Sequence, residues 1–263
     1  QCPADADIVY LPMMHVSDTA WYTQDGYIVL GNMLVKYNGD REVIDDIPMN
    51  VIRIGNLAFF ENRSIRKVFL PEHLAEIGLN AFSGCDGLES LHIPGSVVMI
   101  GEEAFYGCHR LKQLTVDPDN LFYTMEDGIL YDKEKTVLIW CSPGVQDMLV
   151  IPESVKELRI YAFADADEMT GIVFPETISV LPTSLFGHNP MLAQMFLPEN
   201  NPAFEMADSL LYTKGGKQLI FCLRSAEGSV TVRDGTMVIC ENAFYSCENI
   251  TEIVLPQTLG YIM

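Results

Sequence analysis

Basic residues are scarce in this chain. Sixteen Lys and Arg stand against 36 Asp and Glu in 263 residues, a formal net charge of −20. The few cations are scattered singly or in pairs. A phosphate backbone is held by clustered Lys and Arg, so this balance argues against nucleic acid as a partner. Long apolar runs are also missing, and nothing approaches the ~18 residues that a membrane-spanning helix needs. The start, Gln1-Cys2-Pro3-Ala4-Asp5, lacks the basic head and apolar run of a signal peptide. A trimmed linker at the N-terminus is compatible with secretion, and it is a simpler reading of Cys2 than a lipidated cysteine. No two of the seven cysteines stand at Cys-x-x-Cys spacing, which removes support for zinc. A Gly-rich phosphate loop, a nucleophile elbow and a Ser/His/Asp set are equally unrecognisable. Neither catalysis nor a cofactor is expected.

What the chain does have is a repeat. Hydrophobic residues make up 49% and charged ones 20%, a globular balance. An apolar-Pro step is followed by Ile-Gly-x-x-Ala-Phe, most clearly at Leu70-Pro71 to Phe82 and at Ile93-Pro94 to Phe105. The apolar residues that open each copy serve as anchors: Ile47, Leu70, Ile93, Val116, Ile151, Phe174, Leu197, Val232 and Leu255. Successive anchors are 23 residues apart, except after Val116 and Leu197, where the step is 35. An 81-residue super-repeat lies over this, matching Cys141 to Cys222, Trp140 to Phe221, Tyr131 to Tyr212 and Asn120 to Asn201.

Each copy reads as one coil of a solenoid. Residues before the anchor alternate between core and solvent, as a half-buried strand must. Proline ends the strand without disturbing the ladder. Gly101 relieves a tight corner, and Ala104-Phe105 is expected to form a short helical turn with the ring as a core plug. One coil cannot bury its apolar ring alone, so neighbours must stack. Nine anchors about 4.8 Å apart imply a parallel sheet roughly 38 Å along the stack. The rings of Phe82, Phe105, Phe163 and Phe244 should all be nearly fully buried. In the two long coils, Ile129-Leu130-Tyr131 and Thr136 to Trp140 flank a polar link, and Leu210-Leu211-Tyr212 and Leu219-Ile220-Phe221 repeat the pattern. Both read as β-hairpins, and Tyr27 to Tyr37 as a third that caps the N-terminal end. The expected organisation is an N-terminal segment and cap over 1–40, then one continuous solenoid domain over 41–263.

The pattern Ile-Pro-x-x-Val-x-x-Ile-Gly-x-x-Ala-Phe-x-x-Cys-x-x-Leu, Ile93 to Leu111 here, resembles the BspA-like leucine-rich repeats. The resemblance runs from about Tyr27 to Leu255. It implies an α/β leucine-rich-repeat solenoid, a curved right-handed superhelix that is β-rich, with short helical turns and inserted hairpins. It further implies a bacterial protein, secreted or on the cell surface, that binds proteins or cell surfaces and brings no catalytic residues. The chain departs from the pattern at Asp45 in a strand, at Arg159 and Cys240 in place of the corner Gly, and at Asp117 and Arg233 in place of the strand-ending Pro.

Candidate binding residues follow from the alternation. The residue before each anchor should face outward from the concave sheet: Phe69, His92, Thr115, Val150, Val173, Phe196, Thr231 and Val254. Five of the eight are apolar on a face expected to meet water, which marks an interaction site, although β-propensity alone would also favour Val, Thr and Phe there. The hairpin aromatics Tyr131, Trp140, Tyr212 and Phe221 are candidate stacking platforms for carbohydrate. Cys85, Cys108 and Cys247 sit three residues after a repeat Phe, where other coils have Asn62, Ala166 or Asn189. A column of small buried residues explains them better than a metal or redox site, and Cys85 and Cys108 are expected to stay reduced. His15, His73, His92, His109 and His188 share no ligand spacing, so no metal is expected. Asp165-Ala166-Asp167-Glu168 and Asp117-Pro118-Asp119 match no calcium loop and read as solvated turns.

The leading expectation is therefore a non-catalytic extracellular adhesion or recognition module, binding a host or cell-surface protein through the sheet and hairpins. A structural spacer in a larger surface protein and a carbohydrate-binding module are the alternatives. The last coil begins at Leu255-Pro256 and stops at Met263, before an Ala-Phe turn. A solenoid needs a polar cap over its last ring, so the sequence is expected to be a fragment of a protein that continues with another coil or a capping domain, its cut end frayed or paired with a second copy.

Overall fold

The computed structural model describes residues 21–182, 184–186 and 189–263, with the side chains described from residue 25 onward. Cys2, His15 and His188 lie outside those residues. The described chain is a β-solenoid in which each short coil lays down a strand leading to an anchor and, except in the coil from Phe174 to Leu197, a second strand on the return path.

The anchor strands form the front face. They pair in parallel but in three separate ladders: Val43–Ile44, Lys67–Val68, Ser90–Ile93 and Gln113–Val116; then Asp147–Val150, Met169–Val173 and Gln194–Phe196; then Gly228–Thr231 and Ile250–Val254. The return strands Arg53–Ile54, Glu76–Ile77, Met99–Ile100, Glu157–Leu158, Val238–Ile239 and Tyr261–Ile262 form the back face. This second sheet was not expected from the sequence, because two residues are too few to show an alternation.

Each run of return strands starts from a three-stranded antiparallel meander. The first is Trp21–Gln24, Tyr27–Leu30 and Met33–Tyr37; the second is Tyr123–Glu126, Ile129–Asp132 and Val137–Cys141; the third is Phe204–Ala207, Leu210–Thr213 and Gln218–Cys222. The expected hairpins are the last two strands of each. The extra strand arises at Asp25-Gly26 and Asp127-Gly128, where both residues have positive φ (51° and 87°, 49° and 81°). Two such residues make the tight turn that matches strand twist, and Asp-Gly is a strong hairpin signal.

The continuous anchor sheet expected from the spacing is thus interrupted at each long coil. There the strand partners are replaced by side chains. The Ser142 hydroxyl donates to the Leu111 carbonyl at 3.2 Å, and that of Ser225 to Ala193 at 2.9 Å. On the back, Arg159 donates to the Ile100 carbonyl at 2.9 Å, so the residue that breaks the corner-Gly pattern clips two coils together. Where Gly is kept, it has to be: a Cβ on Gly101 would lie 2.4 Å from the Leu79 nitrogen.

The Ala-Phe corners are not helical, and the described residues contain no helix at all, so the architecture is all-β rather than α/β. The reason lies in where the amides point. Phe59 donates to Ala81 and Phe82 to Ala104, in the next coil, instead of back along their own segment. Residues at positive φ, Leu57, Asn80, Glu103, Tyr161 and Asn242, turn every second amide outward to make this possible. A helix would spend those amides inside one coil and leave the next unpaired.

The plugs stack through the core. Tyr27, Tyr37, Phe59, Phe82, Phe105 and Trp140 form a column with ring centroids 4.9 to 6.1 Å apart. Phe163, Phe186 and Phe221 form a second column at 5.7 and 4.6 Å. Phe82, Phe105 and Phe163 are buried as expected, but Phe244 is only half-buried, since no described ring stacks over its far side.

Candidate interaction face

The strand Ser90–Ile93 shows how the front face is made. Leu91 and Ile93 point into the core, while Ser90 and His92 point out. Pairing then aligns the outward residues of successive coils, setting His92 beside Thr115, Val150 beside Val173, Val173 beside Phe196 and Thr231 beside Val254. Phe69, His92, Thr115, Val150, Phe196, Thr231 and Val254 are exposed, and Val173 is partly so. The largest apolar exposures in this column are Val150 at 64%, Phe196 at 51% and Phe69 at 50%.

The column differs in character along its length. In the first ladder, Phe69, His92 and Thr115 border an open depression of ≈ 260 Å³ with Lys67, Glu72 and Gln113. The Lys67 ammonium lies 4.4 Å from the Phe69 ring centroid, a cation–π contact. His92 Nδ1 is 2.9 Å from the Thr115 hydroxyl, and its other nitrogen is 4.0 Å from Asp117. In the middle ladder the outward row Val150, Val173 and Phe196 is wholly apolar. The second outward row adds Met148, whose thioether lies where a Cβ on Gly171 would be, 2.6 Å from that position. Gly171 is therefore a socket for Met148, and both residues were missed in the sequence. The period of two that found Val150 and Val173 also points to them.

The four meander aromatics are not at the surface. Tyr131, Trp140, Tyr212 and Phe221 are all buried. Trp140 closes the first ring column against Phe105, Phe221 closes the second against Phe186, and the Tyr212 hydroxyl accepts the Arg233 amide at 3.1 Å. Each long coil gives up its Ala-Phe corner, so these rings fill the space the missing plug would occupy. They offer no platform on which a sugar could stack.

The cysteine column has a more specific role than small size. Cys85 donates its thiol to the Phe59 carbonyl at 3.0 Å, and Cys108 to Phe82 at 3.1 Å. Asn62 and Asn189 occupy the same slot and donate to Gly39 at 2.8 Å and Phe163 at 2.7 Å. These four residues thus aim a short donor at the preceding coil, while Ala166 fills the same slot by size alone. Burial pushes the Cys85 thiol up to about 12 and holds Cys108 well above its ordinary value. Cys247 differs. It is half-buried, and its thiol is lowered to about 7 by a hydrogen bond from Cys222 and by the Arg224 guanidinium, whose Nη1 is 3.7 Å away. Iodoacetamide at neutral pH should therefore modify Cys247 while leaving Cys85 and Cys108 untouched until urea is added. Peptide mass mapping that finds Cys85 or Cys108 alkylated first would contradict this register.

Of the acidic turns, one is built into the fold. Asp165 is buried and accepts the Gly107 amide on both oxygens, at 3.1 and 3.0 Å, with His109 at 3.5 Å. Gly107 lacks a next-coil carbonyl because the long coil has no corner, and the carboxylate takes that place. Burial pushes Asp165 up to about 6, against the pull of His109 and the amide. Among the described residues no three His, Cys, Asp or Glu side chains gather as metal ligands would, and no helix is long and apolar enough to cross a membrane.

A model of the BspA type leucine rich repeat region matches residues 44–137, 145–210 and 220–263 in six copies. Among solved structures, a leucine-rich repeat protein from Eubacterium ventriosum is similar over 94% of this chain and 91% of its own, with TM-score 0.60 and 15% identity. The pneumococcal vaccine antigen PcpA is similar over 84% of this chain, with TM-score 0.55 and 21% identity. This chain spans only 55% of that antigen. Both likenesses are of fold. No curated protein matches the chain.

Proposed function

The chain belongs to the BspA-type leucine-rich repeat family, and from that premise we propose that it is a non-catalytic recognition module of a secreted or cell-surface bacterial protein. Residues 41–263 act as one continuous binding solenoid behind the N-terminal segment 1–40, and the ligand is a protein on a host or neighbouring cell. The observation that carries this reading is the front column from Phe69 to Val254, apolar at five of its eight positions and held in register by backbone ladders. Side chains on paired strands are already ordered, so docking onto them loses little conformational freedom. Within it Val150, Val173 and Phe196 are neighbours on paired strands, and contiguous exposed apolar surface of that kind usually marks a protein interface. Burial of Tyr131, Trp140, Tyr212 and Phe221 weighs against the carbohydrate alternative.

The test is adhesion. Beads carrying the protein should bind intact epithelial or bacterial cells saturably. A front-face variant with Phe69→Asp, Val150→Asp and Phe196→Asp should bind about tenfold more weakly or worse, as loss of central apolar anchors does. A back-face control with Met99→Asp and Val180→Asp, both exposed positions, should bind like the parent. Equal binding by the two variants, or no saturable binding by the parent, overturns the reading.

A further inference from the structure

The middle ladder carries a second periodic feature. Two residues after each of its anchors stands a glutamate: Glu153 in Ile151-Pro152-Glu153, Glu176 in Phe174-Pro175-Glu176 and Glu199 in Leu197-Pro198-Glu199. All three are exposed, at the border where the strands end. Their carboxylates accept no hydrogen bond and form no ion pair with any described residue, whereas ten other ion pairs are present. Across residues 147–153, 169–176 and 193–199 the only charges are Asp147 and these three, so this part of the face holds no cation. An apolar row, Val150, Val173 and Phe196, thus runs parallel to a carboxylate row, both crossing the strands.

We propose that this middle ladder receives a basic amphipathic α-helix of a protein partner, laid across the strands, with apolar residues over Val150, Val173 and Phe196 and Lys or Arg along the Glu153, Glu176 and Glu199 border. This rests on the recognition reading above and names the chemistry of the partner. The spacing selects the helix. Coils repeat every ~4.8 Å, and side chains at i, i+3 or i+4, and i+7 of a helix recur about every 5–6 Å. Alternate residues of an extended peptide recur about every 6.7 Å and would fall out of step after one coil. Charge sets the sign. Three unpaired carboxylates at one border favour a cationic flank and reject an acidic one. Arg and Lys stems also add apolar contact while keeping their charge at the rim.

Labelled model peptides test this directly by fluorescence anisotropy. The probe is a Leu/Lys peptide of about 18 residues, five turns, with Leu at helical spacing. One comparison has the same composition in strict alternation, and another replaces Lys by Glu. The helical Leu/Lys peptide should bind saturably, at least about tenfold tighter than either comparison, and weaken between about 50 and 500 mM salt. Binding should be lost in Glu153→Lys/Glu176→Lys/Glu199→Lys and in Val173→Asp. It should persist in Glu61→Lys/Glu241→Lys/Glu248→Lys, which changes net charge equally at other exposed sites. Equal binding by the alternating peptide, or equal loss in both charge-reversal variants, overturns the proposal. Cell adhesion that depends on the front face, with no binding of the helical peptide, overturns the helix and leaves the recognition reading standing. Adhesion that ignores the front-face variant brings down the reading itself.

Discussion

Replacing Phe105 by alanine is expected to destabilise the protein by about 3–5 kcal/mol, the range found when a buried aromatic leaves a cavity. The ring is 2% exposed and sits between Phe82 at 6.1 Å and Trp140 at 5.8 Å. It is the last Ala-Phe plug before the second meander, so no corner ring of the following coil can slide in to refill the space. Urea titration followed by far-ultraviolet circular dichroism would measure the loss. Phe244→Ala provides the contrast. That ring is half-buried and should cost only about 1–2 kcal/mol, in proportion to the apolar area it hides. Equal costs at the two positions would mean that stacking in the column contributes little beyond local burial.

The same residues show how much of the fold was readable beforehand. The 23-residue step and the Phe positions locate the plugs because a solenoid repeats its core requirement once per coil, and repetition is visible in a single chain. The outward column was readable for the same reason, since alternation around an anchor fixes which side chains leave the core. Direction of the corner amides was not readable. Phe82 looks the same in a helical turn and in a turn whose amide reaches Ala104 of the next coil. That difference lies in φ at Asn80 and Glu103, and only Asn hints at it. Nor did aromatic identity reveal exposure in the meanders. Trp140 and Phe221 suit a sugar platform and a core plug equally, and the lost Ala-Phe corner decided between them.

Asn120→Leu should be at least as damaging as the loss of Phe105. Asn120 is fully buried and uses both ends of its amide. Its nitrogen donates to the Pro94 and Val97 carbonyls at 2.9 and 3.0 Å, and its oxygen accepts the Phe122 and Tyr123 amides, both at 2.8 Å. Ser96 and Thr177 do the first half of this in short coils, each bonding two carbonyls of the coil before. Of the three, only Asn120 also accepts the pair of amides that starts a meander, through its carbonyl oxygen. Leucine keeps the volume and strands the Val97 carbonyl and the Phe122 and Tyr123 amides, while the Pro94 carbonyl keeps the Val97 amide; at about 1–3 kcal/mol for each group buried unmet, a total of about 3–6 kcal/mol is expected after partial relaxation. Asn120→Asp separates the two halves. It keeps the acceptors but turns a charge toward two carbonyls, which raises the folded-state pKa of the introduced acid. Stability of that variant should therefore recover as pH falls from 7 toward 4, a trend the Leu variant should not share. If neither variant lowers the urea midpoint, the four bonds are not what joins these coils. Asn201 repeats the arrangement with Ile178, Ala203 and Phe204, and should respond alike.

That recurrence bears on how such a chain changes length over generations. Asn120 and Asn201, Cys141 and Cys222, and the paired strands of the second and third meanders all recur at an 81-residue offset. The first and second meanders are offset by 104 residues from Tyr37 to Cys141, one 23-residue coil more. A gene duplication that copied one whole unit would meet ladder edges, ring plugs and amide partners already shaped to receive it. Single coils can be gained or lost between meanders on the same terms. Insertions of any other length would leave a coil out of register with its neighbours. The reach of the front face is therefore heritable in discrete increments, and selection can lengthen it without redesigning a single contact.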